Sequence, residues 1–114
     1  MWFGIGGALV ALIAALTWLT FYWAGAGRLA RNAIIGIRTQ QTRKSDTAWS
    51  EAHHAAMMRS TAFMIAAVVA GMAALVQMGN QADAAFAFWL AVAVYAIGMA
   101  QSVWRAIRVA EAAK

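Results

Sequence analysis

The chain has no cysteine and no proline among its 114 residues, and only four acidic residues against nine basic ones. Without cysteine there is no disulfide framework and no thiolate metal or iron–sulfur site. Without proline, no helix is broken by a missing backbone donor. Charge of either sign is scarce as well: 11% of residues are charged and 64% are hydrophobic. A soluble domain of this length could not cover a core with so little polar surface. The formal net charge of +5 would suggest nucleic acid in a soluble protein. Here the bases flank apolar blocks, so no nucleic-acid partner is expected and anionic lipid headgroups are the natural counter-charge.

What the sequence does have is long apolar blocks, about 2–26, 60–78 and 84–103. At about 1.5 Å per residue each can cross a hydrocarbon core of roughly 30 Å. The first block has no basic segment before it, so it reads as a retained helix rather than a cleaved leader. Trp18, Phe21, Tyr22 and Trp23 cluster at its far end like an interfacial aromatic belt. Gly79, Asn80 and Gln81 mark a short turn between the second and third blocks, which predicts an antiparallel hairpin. The expected fold is therefore all-α: one polytopic membrane domain over 1–114, with three spans and a basic loop, 27–59, between the first two.

Orientation follows from the bases. Arg28, Arg31, Arg38, Arg43, Lys44 and Arg59 lie in the loop, Arg105, Arg108 and Lys114 in the tail, and none lies before the first block or near Asn80. The positive-inside rule puts loop and tail in the cytoplasm and the N-terminus outside. Arg28, Arg31, Arg43, Lys44, Arg105 and Arg108 are the expected headgroup contacts. Small residues recur every fourth position at Gly7, Ala11 and Ala15, at Ala66, Ala70 and Ala74, and at Ala87 and Ala91. Such stripes let helices approach closely in lipid, either within one chain or in a homo-oligomer or larger membrane complex.

The loop carries the chemistry. A short apolar run, Ala33 to Ile37, is too short to span a bilayer and either lies in the interface or folds back on the helices. Ser45 or Asp46 is a suitable N-cap, and no glycine or proline interrupts 46–70, so a helix starting near Asp46 should run on into the second span. On that helix Asp46, Trp49 and His53 share a face, and Arg38 is the natural partner of Asp46. Simple headgroup anchoring by Trp, Arg and Lys would explain the same residues. His53 and His54 point about 100° apart on a helix and make a poor metal pair, so no metal or other cofactor is expected.

Gly36-Ile37-Arg38-Thr39, then Thr42, Ser45-Asp46, Trp49 and His53, with Asn32 at the start, resembles the signature of the SdpI family of bacterial membrane proteins. The spacing agrees throughout 32–53; His54 stands where the family commonly has Arg, and Thr47 where a second acid is frequent. The three-span layout resembles a short, single-domain form. The family is named for immunity to a secreted toxic peptide, the sporulation-delaying protein. The resemblance implies a toxin-immunity or accessory role, with Asn32, Gly36, Arg38, Thr39, Thr42, Ser45, Asp46, Trp49 and His53 as the motif that meets a partner, such as a peptide ligand. A transporter, or a subunit of a larger membrane complex, is the alternative. The acids Asp46, Glu51, Asp83 and Glu111 all fall outside the apolar blocks, which speaks against a proton-coupled pump. No nucleophile–base pair or metal cluster suggests an enzyme.

Overall fold

The computed structural model describes residues 2–30 and 36–113. Among these, three α-helices form and no strand does: α1 (Trp2–Gly25), α2 (Asp46–Val76) and α3 (Gln81–Ala112), each long and apolar enough to cross a membrane. Helix α2 starts at Asp46 and continues unbroken through the second apolar block, as its sequence predicts. Helix α3 outruns its apolar block at both ends, because the residues flanking the block are good helix formers.

The distribution of side chains identifies the solvent. The buried positions are mostly alanine, with Ala14, Ala67, Ala74 and Ala91 fully enclosed, whereas Leu12, Val69, Phe86 and Ile97 are exposed. A protein folded in water hides its large apolar side chains; this one turns them outward. Lipid makes that arrangement favourable, because in hydrocarbon no hydrophobic force pulls a leucine inward and close packing of small residues drives association instead. The protein is a multi-pass membrane protein.

The helices contribute to two compact units. The first comprises Met1–Leu16 and Ala62–Gly98. In it the backbones of Gly7 and Gly71 meet: a Cβ added at Gly7 would stand 2.6 Å from the Gly71 carbonyl oxygen and 2.5 Å from the Ala74 Cβ, so only glycine fits. The enclosed line on α1 is Gly4, Gly7, Ala11 and Ala14, facing a line on α2 that includes Ala67, Ala70, Gly71 and Ala74. The strict four-residue stripes expected above need correcting, because Ala15 and Ala66 are exposed. A spacing of four drifts about 40° per step around a helix of 3.6 residues per turn, so a buried line must alternate threes and fours. Helices α2 and α3 form the expected antiparallel hairpin: four residues, 77–80, connect them, and Gly98 lies directly against Phe63. The Asn80 side chain accepts the Asp83 N–H at 3.3 Å and caps α3, with Asp83 in its first turn complementing the helix dipole.

The second unit comprises Thr17–Thr61 and Met99–Lys114, and so holds the motif loop and the tail together. Its core is Phe21, Ile37, Ala48, Ala52, Ala56, Ala106 and Ala110, with Met57, Met99 and Val103 packed against it. Helix α1 ends in a Schellman motif. Arg28 N–H donates to the Trp23 carbonyl at 2.8 Å and Gly27 N–H to the Ala24 carbonyl at 3.3 Å, with Gly27 at φ +80° supplying the left-handed residue. Phe21, expected in the aromatic belt, is instead 2% exposed in the core; Tyr22 and Trp23 remain outward. Trp18 donates its indole N–H to Thr61 Oγ1 at 3.0 Å.

Candidate functional site

Gly36 at φ +101° turns the chain into the motif, a conformation side chains rarely adopt. The turn also presses the backbone against α2: a Cβ there would stand 2.8 Å from His53 Nε2 and 3.0 Å from Trp49 Cη2. The next residue, Ile37, drops its side chain into the core and fastens its backbone at both ends. Its N–H donates to His53 Nε2 at 2.8 Å, and its carbonyl accepts the Thr42 hydroxyl at 2.6 Å. Thr39 and Thr42 then bond reciprocally: Thr39 N–H donates to Thr42 Oγ1 at 3.0 Å and Thr42 N–H to Thr39 Oγ1 at 3.1 Å. This knot brings the chain to Ser45, whose hydroxyl accepts the Ala48 N–H at 3.0 Å and caps α2. Asp46 follows as the first helical residue, where its charge suits the positive end of the dipole.

Trp49 and His53 form the wall against which the loop is held. Trp49 donates its indole N–H to the Leu29 carbonyl at 2.8 Å, tying down the other arm of the loop. The two rings pack at a tilt of 44°, with centroids 4.2 Å apart. His53 is fully buried, and its Nδ1 lies 2.7 Å from the Trp49 carbonyl. Because Nε2 accepts the Ile37 N–H, the ring proton belongs on Nδ1, where it donates to Trp49. Both nitrogens are thus committed to backbone in the neutral tautomer. His53 precedes the apolar stretch of α2; burial lowers its pKa, opposed by the hydrogen bond to the Trp49 backbone.

The motif accordingly divides in two. Thr42, Trp49 and His53 are buried and Gly36, Thr39 and Ser45 are partly covered, so these six shape the loop. Arg38 and Asp46 are exposed and face outward from it. Trp49 is no headgroup anchor: at 2% exposure it reaches no lipid. Asn32 and Arg31 lie outside the described residues, as does most of the apolar run before Gly36. Of the expected headgroup contacts, Arg28, Arg43, Lys44, Arg105 and Arg108 are exposed, with Lys44 Nζ 3.5 Å from the Glu111 carbonyl and Arg108 over the Trp104 ring at 5.4 Å. Sequence reasoning did not single out the Leu29 carbonyl or the anchoring role of Ile37. The lone apolar residue between Gly36 and Arg38 was the available signal for the latter. Among the described residues, no three His, Asp or Glu side chains gather as a metal cage.

A model of the SdpI/YfhL protein family matches residues 28–104, a stretch that begins with this loop and continues through α2 and most of α3. The chain belongs to the SdpI/YfhL family. No curated protein and no solved structure matches it. In this SdpI/YfhL member the residues of the family-like signature are thus mainly the fastening of one loop to one helix, with two charged side chains displayed on the result.

Proposed function

We propose that this protein is a non-catalytic binding protein of the bacterial cell membrane, of the toxin-immunity or accessory class, and that its motif loop is the contact surface. One observation carries the reading. Both backbone polar groups of Ile37 are bound, by His53 and Thr42, immediately before Arg38. A loop ordered in this way presents the exposed Arg38, and Asp46 beyond it, without paying for ordering when a partner arrives. Simple headgroup attraction would need no such geometry, since a basic residue near a lipid surface contributes about 1 kcal/mol wherever it stands. In this reading the loop and the tail are cytoplasmic and the N-terminus is outside. The charge asymmetry supports that orientation, as does the presence of loop and tail in one compact unit.

The test is purification in mild detergent with identification of copurifying peptides and proteins, for the native chain and for Arg38→Lys, Arg28→Lys and Arg105→Lys at matched membrane abundance. Lysine keeps the charge but loses the planar fork that grips a carboxylate at two points. Arg38→Lys should lose the partner while the other two variants keep it. A bound peptide supports immunity and a stably bound protein the accessory role. Equal behaviour of all three variants would reduce the loop to a lipid anchor.

A further inference from the structure

Beside the motif, on the neighbouring face of α2, an open cleft of about 480 Å³ is lined by Gly25, Ser50, Glu51, His54, Ala55 and Val109. Its polar groups are one carboxylate, one hydroxyl and one imidazole, brought together by spacings of one, three and four residues on a single helix. Among the described residues none of these three side chains has a hydrogen-bond or ion-pair partner. The hydroxyls of Ser60 and Thr61, further along the same helix, are by contrast bonded to the Met57 carbonyl. A helical serine that leaves its own carbonyl ladder alone, next to an exposed acid without a partner among the described residues, leaves a place for an external cation.

We propose that this cleft binds the primary ammonium of an aminophospholipid headgroup. An ammonium carries three N–H donors and no acceptor, and the cleft offers the Glu51 carboxylate, the Ser50 hydroxyl and the His54 imidazole. Gly25, Ala55 and Val109 supply apolar wall for the short carbon stem. The position favours lipid over other amines: Gly25 is the last residue of α1, just past the exposed Tyr22 and Trp23, a pair that sits at headgroup depth in a membrane. Arginines suited to the adjoining phosphate flank the cleft. Arg28 stands three residues beyond Gly25, and Arg105 stands one helical turn before Val109 on the same face of α3, both exposed. This site is separate from the loop surface and does not depend on what that surface binds.

The experiment supplies the detergent-purified protein with equimolar phosphatidylethanolamine and phosphatidylcholine of matched chains and measures retained lipid by native mass spectrometry. The two lipids share the phosphate, but choline's three methyl groups remove every N–H. For a water-exposed carboxylate the expected preference for phosphatidylethanolamine is roughly fivefold. Glu51→Gln should bring it close to one, and Ser50→Ala should reduce it partway, with thermal stability unchanged in both. Equal retention of the two lipids by the native chain, or an undiminished preference in Glu51→Gln, would overturn the assignment.

Discussion

Replacing His53 with phenylalanine removes the acceptor that holds the loop, together with the Nδ1 bond to the Trp49 carbonyl within α2. The ring remains, and with it the tilted contacts with Trp49 at 4.2 Å and with Phe21 at 6.1 Å, but the acceptor for the Ile37 N–H is gone. Ile37 is 6% exposed, so water does not readily replace the lost partner. Leaving a buried donor unsatisfied costs about 1–3 kcal/mol, which corresponds to roughly 5- to 150-fold more frequent opening of the loop. Hydrogen–deuterium exchange in lipid nanodiscs, read on a peptide containing residues 36–42, measures that opening directly. Exchange at Ile37 should accelerate by that factor while amides in the middle of α3 keep their native rates. If Ile37 exchanges freely in the native protein, or equally slowly in His53→Phe, the imidazole is not what fastens the loop.

The same bond predicts a pH dependence. Burial holds the folded His53 pKa below its ordinary value of 6.5, so the unfolded chain takes up the proton first; docking is fully stable above 6.5, weakens as pH falls below it, and is lost through the lower folded value. Loop protection, taken as exchange relative to the intrinsic amide rate at each pH, should therefore fall between pH 7.5 and 5.5 in the native protein, and His53→Phe should flatten that response. Gly36→Ala places a methyl group at φ +101° against His53 and Trp49; the strain costs about 1–3 kcal/mol, and trypsin should cut faster at Arg38 and Arg43. For orientation, a cysteine at Asn80 should react with an impermeant thiol reagent in intact cells and one at Lys114 should not; the reverse pattern would invert the topology.

The sequence made the helices legible because length and apolarity alone decide a membrane span, and the start of α2 because Ser45 and Asp46 carry capping chemistry. The motif spacing located the loop correctly. What it could not give was the direction in which each side chain points. Trp49 and His53 share a helix face in any reading, but whether that face meets lipid, a partner or the chain's own backbone depends on where the preceding segment folds. Phe21 was misplaced for the same reason: an aromatic near a helix end serves a belt or a core equally well until the neighbouring helices are known. The Ser50–Glu51–His54 cleft escaped notice because its apolar walls come from Gly25 and Val109, far away in sequence.

The alanine-built interior also bears on how the helices find one another. An alanine has no rotamers to lose, so bringing Ala67, Ala74 or Ala91 into contact with a neighbour immobilises nothing beyond the helix itself. The side chains that do have rotamers, among them Leu12, Ile65 and Met72, stay in lipid and keep their freedom. Assembly therefore sacrifices little disorder, and modest dispersion contacts suffice to hold it. The converse is a sharp asymmetry in what substitution can do. Outward positions can exchange one apolar residue for another at little cost, while a larger residue at a fully enclosed alanine such as Ala67 must displace its neighbours.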